Sequence, residues 1–299
     1  MFDRILITGG GGMLATALKA SLVTRGFSFV AADRAALDIT SEQSINEIFE
    51  RVKPTLVFNC AAHTKVDLCE QQQDLADQIN GHAVGTLATL CKTHGSRLVH
   101  YSTDFVFDGH GIVEAGQVRP YRIDDPVGPL SAYGRSKLLG EQQLQHVNPP
   151  GWIILRTAWL YGRGGPCFPA TMVKVARDGK PLRVVSDQTG SPTHTVDLAE
   201  ASLDLLTAGA SGLFHATNSG QVTWFDFTRA ILDEFDVQTD LQPITTADWV
   251  KLKPTSAHRP TYSVLDLSPL ERAINHRMRP WQDALHDYRL DVDRATSST

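Results

Sequence analysis

Cysteine is scarce in this 299-residue chain, and its four copies (Cys60, Cys69, Cys91 and Cys167) form no CxxC pair and no metal-ligand spacing. That pattern excludes a disulfide-stapled scaffold, and the thiols read as reduced, in a cytoplasmic protein, with Cys60 in the core. No apolar run approaches the roughly 18–20 residues of a membrane-spanning helix, so no membrane partner is expected. Positive charge is not concentrated either: 28 Lys and Arg stand against 33 Asp and Glu, a net charge of −5. A binder of phosphate backbones needs a dense basic surface, and nucleic acid is therefore not an expected partner. The 11 histidines include no HExxH and no paired His/Cys spacing. No metal is expected, and the histidines read as surface or hydrogen-bonded core residues. Met1-Phe2-Asp3-Arg4 runs directly into a strand pattern, without the basic segment and cleavage site of a signal peptide. Internal repeats are absent.

What remains is ordinary globular composition, 42% apolar and 20% charged, at a length that allows two domains. Short β-branched runs alternate with helical periodicity through the first half. Arg4 to Thr8 reads as a strand, and Met13 to Thr24 as a helix with Leu14, Leu18 and Leu22 on one face. A strand over Phe27 to Ala32 follows, then a helix opened by the capping box Thr40-Ser41-Glu42-Gln43 and carrying Ile45, Ile48 and Val52. Leu56 to Cys60 is a strand, Leu75 to Thr93 a helix, Arg97 to Ser102 a strand, Ala132 to Gln145 a helix and Trp152 to Arg156 a strand. Strands that are apolar throughout and separated by helices imply a parallel sheet covered on both faces. The expected fold is α/β, a Rossmann-like doubly wound sheet over residues 1–157. A smaller substrate-binding domain occupies most of 158–299, with segments returning to the first. It holds helices at Phe168 to Arg177 and near Asp197 and Thr223, and a strand at Leu182 to Ser186. Asp108 to Pro129 reads as one long loop, and Ala295 to Thr299 as a frayed tail.

Gly9-Gly10-Gly11-Gly12-Met13-Leu14-Ala15 joins the first strand to the first helix. Its GxxGxxA spacing lets backbone N–H groups approach a pyrophosphate at a helix N-terminus, which points to a dinucleotide. Asp33, at the end of the second strand, can accept hydrogen bonds from ribose hydroxyls and favours NAD, whereas Arg34 beside it can pair with the 2′-phosphate of NADP. The two pull in opposite directions, and the cofactor reads as NADP or NAD. Tyr133-Gly134-Arg135-Ser136-Lys137 opens a helix, and a spacing of four puts phenol and ammonium on one face. A nearby cation favours phenolate, so this pair can exchange a proton near neutral pH. Ser102-Thr103-Asp104 adds hydroxyls at the carboxyl end of a parallel strand, where ligands bind.

With these pieces in order, the chain resembles the extended short-chain dehydrogenase/reductases, and within them the dTDP-4-dehydrorhamnose reductase family. The resemblance runs over nearly the whole chain. It rests on Asn59-Cys60-Ala61-Ala62-His63-Thr64-Lys65-Val66-Asp67, on Ser102 to Gly109 (STDFVFDG), on Tyr133 to Glu141 (YGRSKLLGE), on Arg156 to Gly162 (RTAWLYG), on Asp187 to Thr193 (DQTGSPT) and on Arg259-Pro260. It implies that Thr103, Tyr133 and Lys137 are the catalytic set. By the same resemblance Gly9, Gly12, Met13, Leu14, Cys60, Ala61 and Ala62 line the dinucleotide, with Asp38 and Ile39 by the adenine. His63, Val66, Asp104, Phe105 and Trp159 would face the sugar, with Arg259 in the substrate half. The implied activity is NAD(P)H-dependent reduction of a nucleotide-activated 4-keto-6-deoxyhexose, foremost dTDP-4-dehydro-L-rhamnose, by a cytoplasmic monomer or homodimer.

The chain departs from the family pattern at several points. Phe105 stands where the family usually has Tyr, so one hydroxyl aimed at the sugar is missing and the particular hexulose is open. Ile123 replaces a Glu, and Cys167 a frequent Asn. Ala17 replaces the first-helix Glu through which some members bridge subunits by a metal, so no such dimer is expected. Trp224, Trp249 and Trp281 read as packing residues of the second domain. Two other classes share these strings: a non-catalytic regulatory subunit resembling the methionine adenosyltransferase β subunit, and a nucleotide-sugar epimerase or dehydratase.

Overall fold

The computed structural model describes residues 3–296. Its first half runs β1 (Ile5–Thr8), α1 (Met13–Thr24), β2 (Phe29–Ala32), α2 (Glu42–Val52), β3 (Leu56–Asn59), α3 (Val66–Gln71), α4 (Gln73–Asp77), α5 (Ala83–His94) and β4 (Arg97–Thr103). A hairpin of β5 (Ile112–Glu114) and β6 (Gln117–Arg119) precedes α6 (Ala132–Val147), β7 (Ile153–Thr157) and β8 (Leu160–Tyr161). Then come α7 (Phe168–Arg177), β9 (Leu182–Val185), β10 (Thr189–Gly190), β11 (Thr193–His194), α8 (Thr195–Thr207) and β12 (Gly212–His215). The chain ends with β13 (Val222–Thr223), α9 (Trp224–Glu234), β14 (Leu241–Ile244), α10 (Thr246–Leu252), α11 (Ser268–Ile274) and α12 (Trp281–Thr296).

The central sheet has six parallel strands in the order β2-β1-β3-β4-β7-β12. All residues of β1 and β3 are buried, which is why these strands are apolar without alternation. Successive residues feed opposite layers. Ile5 and Ile7 pack with Leu14 and Leu18 of α1 and Leu198 and Leu205 of α8. Leu6 packs with Ile45 and Phe49 of α2 and Val84 and Leu87 of α5. Each such side chain contributes about 1.5–3 kcal/mol when fully buried. The chain leaves β1 for β2 on one side and returns to β3 on the other, so the order reverses at β1/β3. A crevice at the carboxyl ends of strands forms at such a reversal.

Residues 158 onward are shared between two layers. β12 completes the sheet, and α8 and α11 pack beneath it. A separate apolar cluster joins Tyr161, Phe227, Ile231, Trp281, Leu285 and Tyr288, and the parallel pair β9–β14 lies beside it.

Several local expectations need correction. β2 starts at Phe29, because Gly26 (φ +75°) and the Phe27 N–H, bonded to the Leu22 carbonyl, finish the end of α1. The cap of α2 is Ser41, which accepts from Ser44 N; Thr40 instead donates to Asp38. The helix expected over 75–93 is broken by a π turn at Gln78–His82. There the buried Asn80 side chain bonds His63 and Ser136, holding the preceding loop against α6. The long loop contains the β5–β6 hairpin, turning on Ala115 (φ +51°) and Gly116 (φ +79°). Cys60 is half-buried rather than core. Ala295 lies in the last turn of α12, and 297–299 are outside the described residues.

Candidate active site

β1 delivers the glycine loop to the reversal point. Gly9 has φ +63°, and a side-chain carbon there would lie 2.7 Å from the Ala61 nitrogen, so only glycine permits this approach. Gly12 N donates to the Gly9 carbonyl at 2.9 Å, and Gly10 N to the Ala32 carbonyl at 2.8 Å. α1 then starts at Met13, with Leu14 buried behind it, and its N-cap Gly12 supplies no side-chain cap. Its first turn carries no acidic residue. A helix N-terminus without a cap, behind a close glycine turn, fits a pyrophosphate. Thr8 donates to Asn59 Oδ1 at 2.7 Å, which ties the ends of β1 and β3 together. Cys60 and Ala61 follow β3 half-buried, and Ala62 is exposed.

The residues expected near the adenosine sit at the end of β2. Asp33 Oδ1 accepts from Ala35 N and Ala36 N, both at 3.0 Å, and Arg34 is exposed beside it. Asp38 accepts from the Thr40 hydroxyl and N–H, which hold its carboxyl below the usual range, and Ile39 is buried.

β4 and α6 assemble the second part. Thr103 ends β4; its hydroxyl accepts from Phe105 N at 3.2 Å and donates to Asp104 Oδ1 at 2.9 Å. Ser131 caps α6 by accepting from Gly134 N at 3.1 Å. A side chain at Gly134 would collide with the Phe105 carbonyl, so glycine lets the first turn of α6 rest on the segment after Thr103. Tyr133 thereby meets Phe105 edge-on, with ring centroids 5.6 Å apart, and lies beside Thr103. Burial pushes the Tyr133 phenol above its usual value; Thr103 opposes this, and Asp104 adds to it. Lys137 Nζ donates to the Tyr101 carbonyl at 2.5 Å and lies 3.5 Å from His100 Nε2. Burial pushes that amine down to about 8, against the pull of Glu141. The phenol–ammonium pairing expected from the spacing of four is therefore not made: Lys137 turns to the Tyr101 carbonyl of the strand.

Beyond Tyr133 opens a cavity of about 370 Å³. Phe105, Trp159 and Arg259 stand in its wall. Trp159 has φ +47° and stacks on Trp224 with centroids 3.6 Å apart. Arg259 is held by Asp67 through two bonds of 2.9 and 3.1 Å. Asp104 is buried next to Ser263, a wall residue, and burial pushes its carboxyl up to about 6. His63 and Val66 are not in the wall: the Val66 side chain is half-buried at the start of α3, and His63 is anchored through its backbone to Asn80. The His194 Nδ1 atom and both ring nitrogens of His215 are buried without a hydrogen bond, which corrects the expectation that core histidines are bonded.

One further expectation fails here and another is incomplete. Trp249 lines the cavity, Trp224 packs on Trp159 and Phe168 as expected but lines the cavity as well, and Trp281 is confined to the apolar cluster. The available signal was the cap Thr223-x-x-Asp226, which puts Trp224 in the first turn of α9, at an element's end where sites form. Ser263 had no local signal. Ala17 is packed against α8. Among the described residues no three His, Cys, Asp or Glu side chains gather as a metal site.

Residues 3–293 match the family model described as RmlD substrate binding domain. A dTDP-4-dehydrorhamnose reductase of Aggregatibacter actinomycetemcomitans is 38% identical, covering 96% of this chain and 98% of its own. A dTDP-4-keto-6-deoxy-D-glucose reductase of Streptomyces niveus is also 38% identical, covering 95% and 96%. The solved structure of dTDP-4-dehydrorhamnose reductase from Bacillus anthracis strain Ames in complex with NADP superposes with a TM-score of 0.89. It is 31% identical, covering 97% of this chain and 100% of the other.

Proposed function

The chain belongs to the dTDP-4-dehydrorhamnose reductase family, and on that premise we propose that it reduces the 4-keto group of dTDP-4-dehydro-L-rhamnose with NAD(P)H, giving dTDP-L-rhamnose. The observation that carries this reading is the placement of the buried Tyr133 beside Thr103 and edge-on to Phe105, a residue of the aromatic cavity's wall.

When bound, the nicotinamide supplies the hydride that reaches the keto carbon. The glycine loop from Gly9 to Leu14 seats the pyrophosphate, with Ala61 and Ala62 alongside and Asp33, Arg34, Asp38 and Ile39 toward the adenosine. Tyr133 holds a proton on its phenol oxygen, since burial keeps it neutral, and gives it to the carbonyl oxygen as negative charge develops there. Thr103, beside the phenol, would turn its hydroxyl from Asp104 to the same oxygen. Lys137 contributes positive charge behind them. Phe105, Trp159 and Asp104 bound the sugar, and Arg259 stands in the same wall toward the substrate.

Among the described residues no helix is long and apolar enough to cross a membrane. The proposed setting is the cytoplasm, with the protein acting as a monomer or homodimer.

The test runs the reaction backward: dTDP-L-rhamnose with NADP or NAD, followed at the reduced-nicotinamide absorbance band. Turnover is expected, and Tyr133→Phe should reduce it about 10²–10⁴-fold while NADPH still binds. An unchanged rate in that variant removes Tyr133 from the mechanism. Phe105 lines the cavity without the usual hydroxyl, so the 4-epimeric dTDP-6-deoxyhexose belongs in the same assay. Phe105→Tyr should raise the preference for dTDP-L-rhamnose over that sugar.

A further inference from the structure

Behind the Tyr133–Lys137 pair lies a second set of buried charges that the reading above does not use. Tyr133, Lys137 and Glu141 follow one another at successive turns of α6, so their side chains share a face. Three consecutive residues at the end of β4 meet that face: the Tyr101 carbonyl accepts from Lys137, the Ser102 hydroxyl donates to Glu141 Oε1 at 2.5 Å, and Thr103 lies beside Tyr133. From β7, Arg156 grips the same carboxylate with Nε at 2.9 Å from Oε1 and Nη2 at 2.7 Å from Oε2. Glu141 is 1% exposed, Lys137 2% and Arg156 4%.

Burying two cations and one anion is costly unless their arrangement is needed, because each ion loses its hydration. A simple Glu141–Arg156 pair would be explained by packing. A carboxylate placed one helical turn from a buried amine, and fixed by a strand residue next to Thr103, is not. We propose that Glu141 is a positioning residue for the reaction: gripped by Arg156 and Ser102, it is the buried counter-charge that holds Lys137 as an ammonium against the end of β4. This rests on the functional reading above.

Other groups around Lys137 do not do this. Cys60, after β3, is held as a thiol by burial. His100 of β4 is kept neutral by burial and by Lys137 itself, and its Nδ1 lies 3.1 Å from the Asn59 amide. Tyr101 offers only its carbonyl, its phenol being bonded to Ser202. Tyr133 is uncharged, and His215 of β12 lies toward Arg156 and stays neutral. Glu141 is thus the one anion acting on the amine from its own helix, and its carboxylate is shared with Arg156.

The experiment titrates Lys137 directly, by 13Cε-lysine NMR of the full-length protein without cofactor, its resonance assigned by loss in Lys137→Arg. Glu141→Gln should lower the midpoint from about 8 by about one pH unit. Arg156→Gln, which leaves Glu141 untempered, should raise it. The alkaline limb of kcat/KM should move with each. A midpoint that stays put in folded Glu141→Gln, or moves the same way in both variants, overturns the proposal. If either single variant fails to fold, Glu141→Gln with Arg156→Gln removes both charges and should still lower the midpoint; no shift there overturns it as well. Turnover is not needed for the titration, so absence of reductase activity would refute the functional reading while the midpoints still judge Glu141.

Discussion

The two ends of the site are made of different material. The glycine-loop end is backbone, drawn from three neighbouring strand ends within the first 62 residues: Gly9 to Gly12, Ala32 and Ala61. The cavity end is side chains, from Phe105 through Trp159, Trp224 and Trp249 to Ser263. A surface made of backbone depends on φ angles and close approach, and hardly any side chain can be added to it. A wall made of side chains can be changed one residue at a time without disturbing the fold, so substrate preference can be altered there while cofactor geometry stays fixed.

That contrast can be broken most directly at Gly9. Alanine must adopt a left-handed conformation costing about 1–2 kcal/mol, and its methyl group meets Ala61 besides. Gly9→Ala should raise the Kd for NADPH at least ~10-fold by fluorescence titration and lower the Tm by several degrees. An unchanged Kd would mean the dinucleotide is seated elsewhere. At the cavity end the expected loss is smaller and confined to one substrate. Trp224→Leu removes the ring stacked on Trp159, an interaction of about 0.5–1.5 kcal/mol, and should raise KM for the sugar nucleotide roughly 3–10-fold. Its Kd for NADPH should stay within twofold. A drop in cofactor affinity instead would show that the two ends are not independent.

The same contrast explains what the sequence made legible. Strand, glycine turn and helix follow each other within residues 4–24, and Thr103, Tyr133 and Lys137 sit at element ends, where local pattern carries the information. The cavity wall could not be read this way. Trp224 and Trp249 become wall residues only because α9 stacks Trp224 on Trp159 and α10 is tied through Thr246 to Asp187 and Gln188, and Ser263 reaches Asp104 from 159 positions away in an irregular segment. The direction of Lys137 was also hidden. A spacing of four places it on the face of Tyr133, but the Tyr101 carbonyl decides where its amine points. Asn80 shows the limit for secondary structure: apolar periodicity runs through 75–93, yet the amide's bonds to His63 and Ser136 widen the helix into a π turn.

The smallest effect belongs to the contact that joins the two halves. Asp67, in the first turn of α3, accepts from Arg259 and from Ala257 N, so it fixes an arginine of the cavity wall from the sheet side. The pair is largely exposed, at 52% and 30% for the two side chains, and such pairs contribute about 0–1 kcal/mol. Asp67→Asn should therefore lower stability by no more than about 1 kcal/mol at neutral pH. Partial burial opposes the ionised form of Asp67, but the Arg259 and Ala257 hydrogen bonds prevail and hold the folded carboxyl below its ordinary 3.8. The contribution is then full above that value and fades as pH falls through the lowered one, where wild type and variant should melt alike. Because the guanidinium loses its anchor, KM for the sugar nucleotide should rise about two- to fivefold with kcat unchanged, the response of a residue that positions the wall and takes no part in chemistry. A fall in kcat of tenfold or more would place Asp67 within the reacting set and erase the distinction between the two ends.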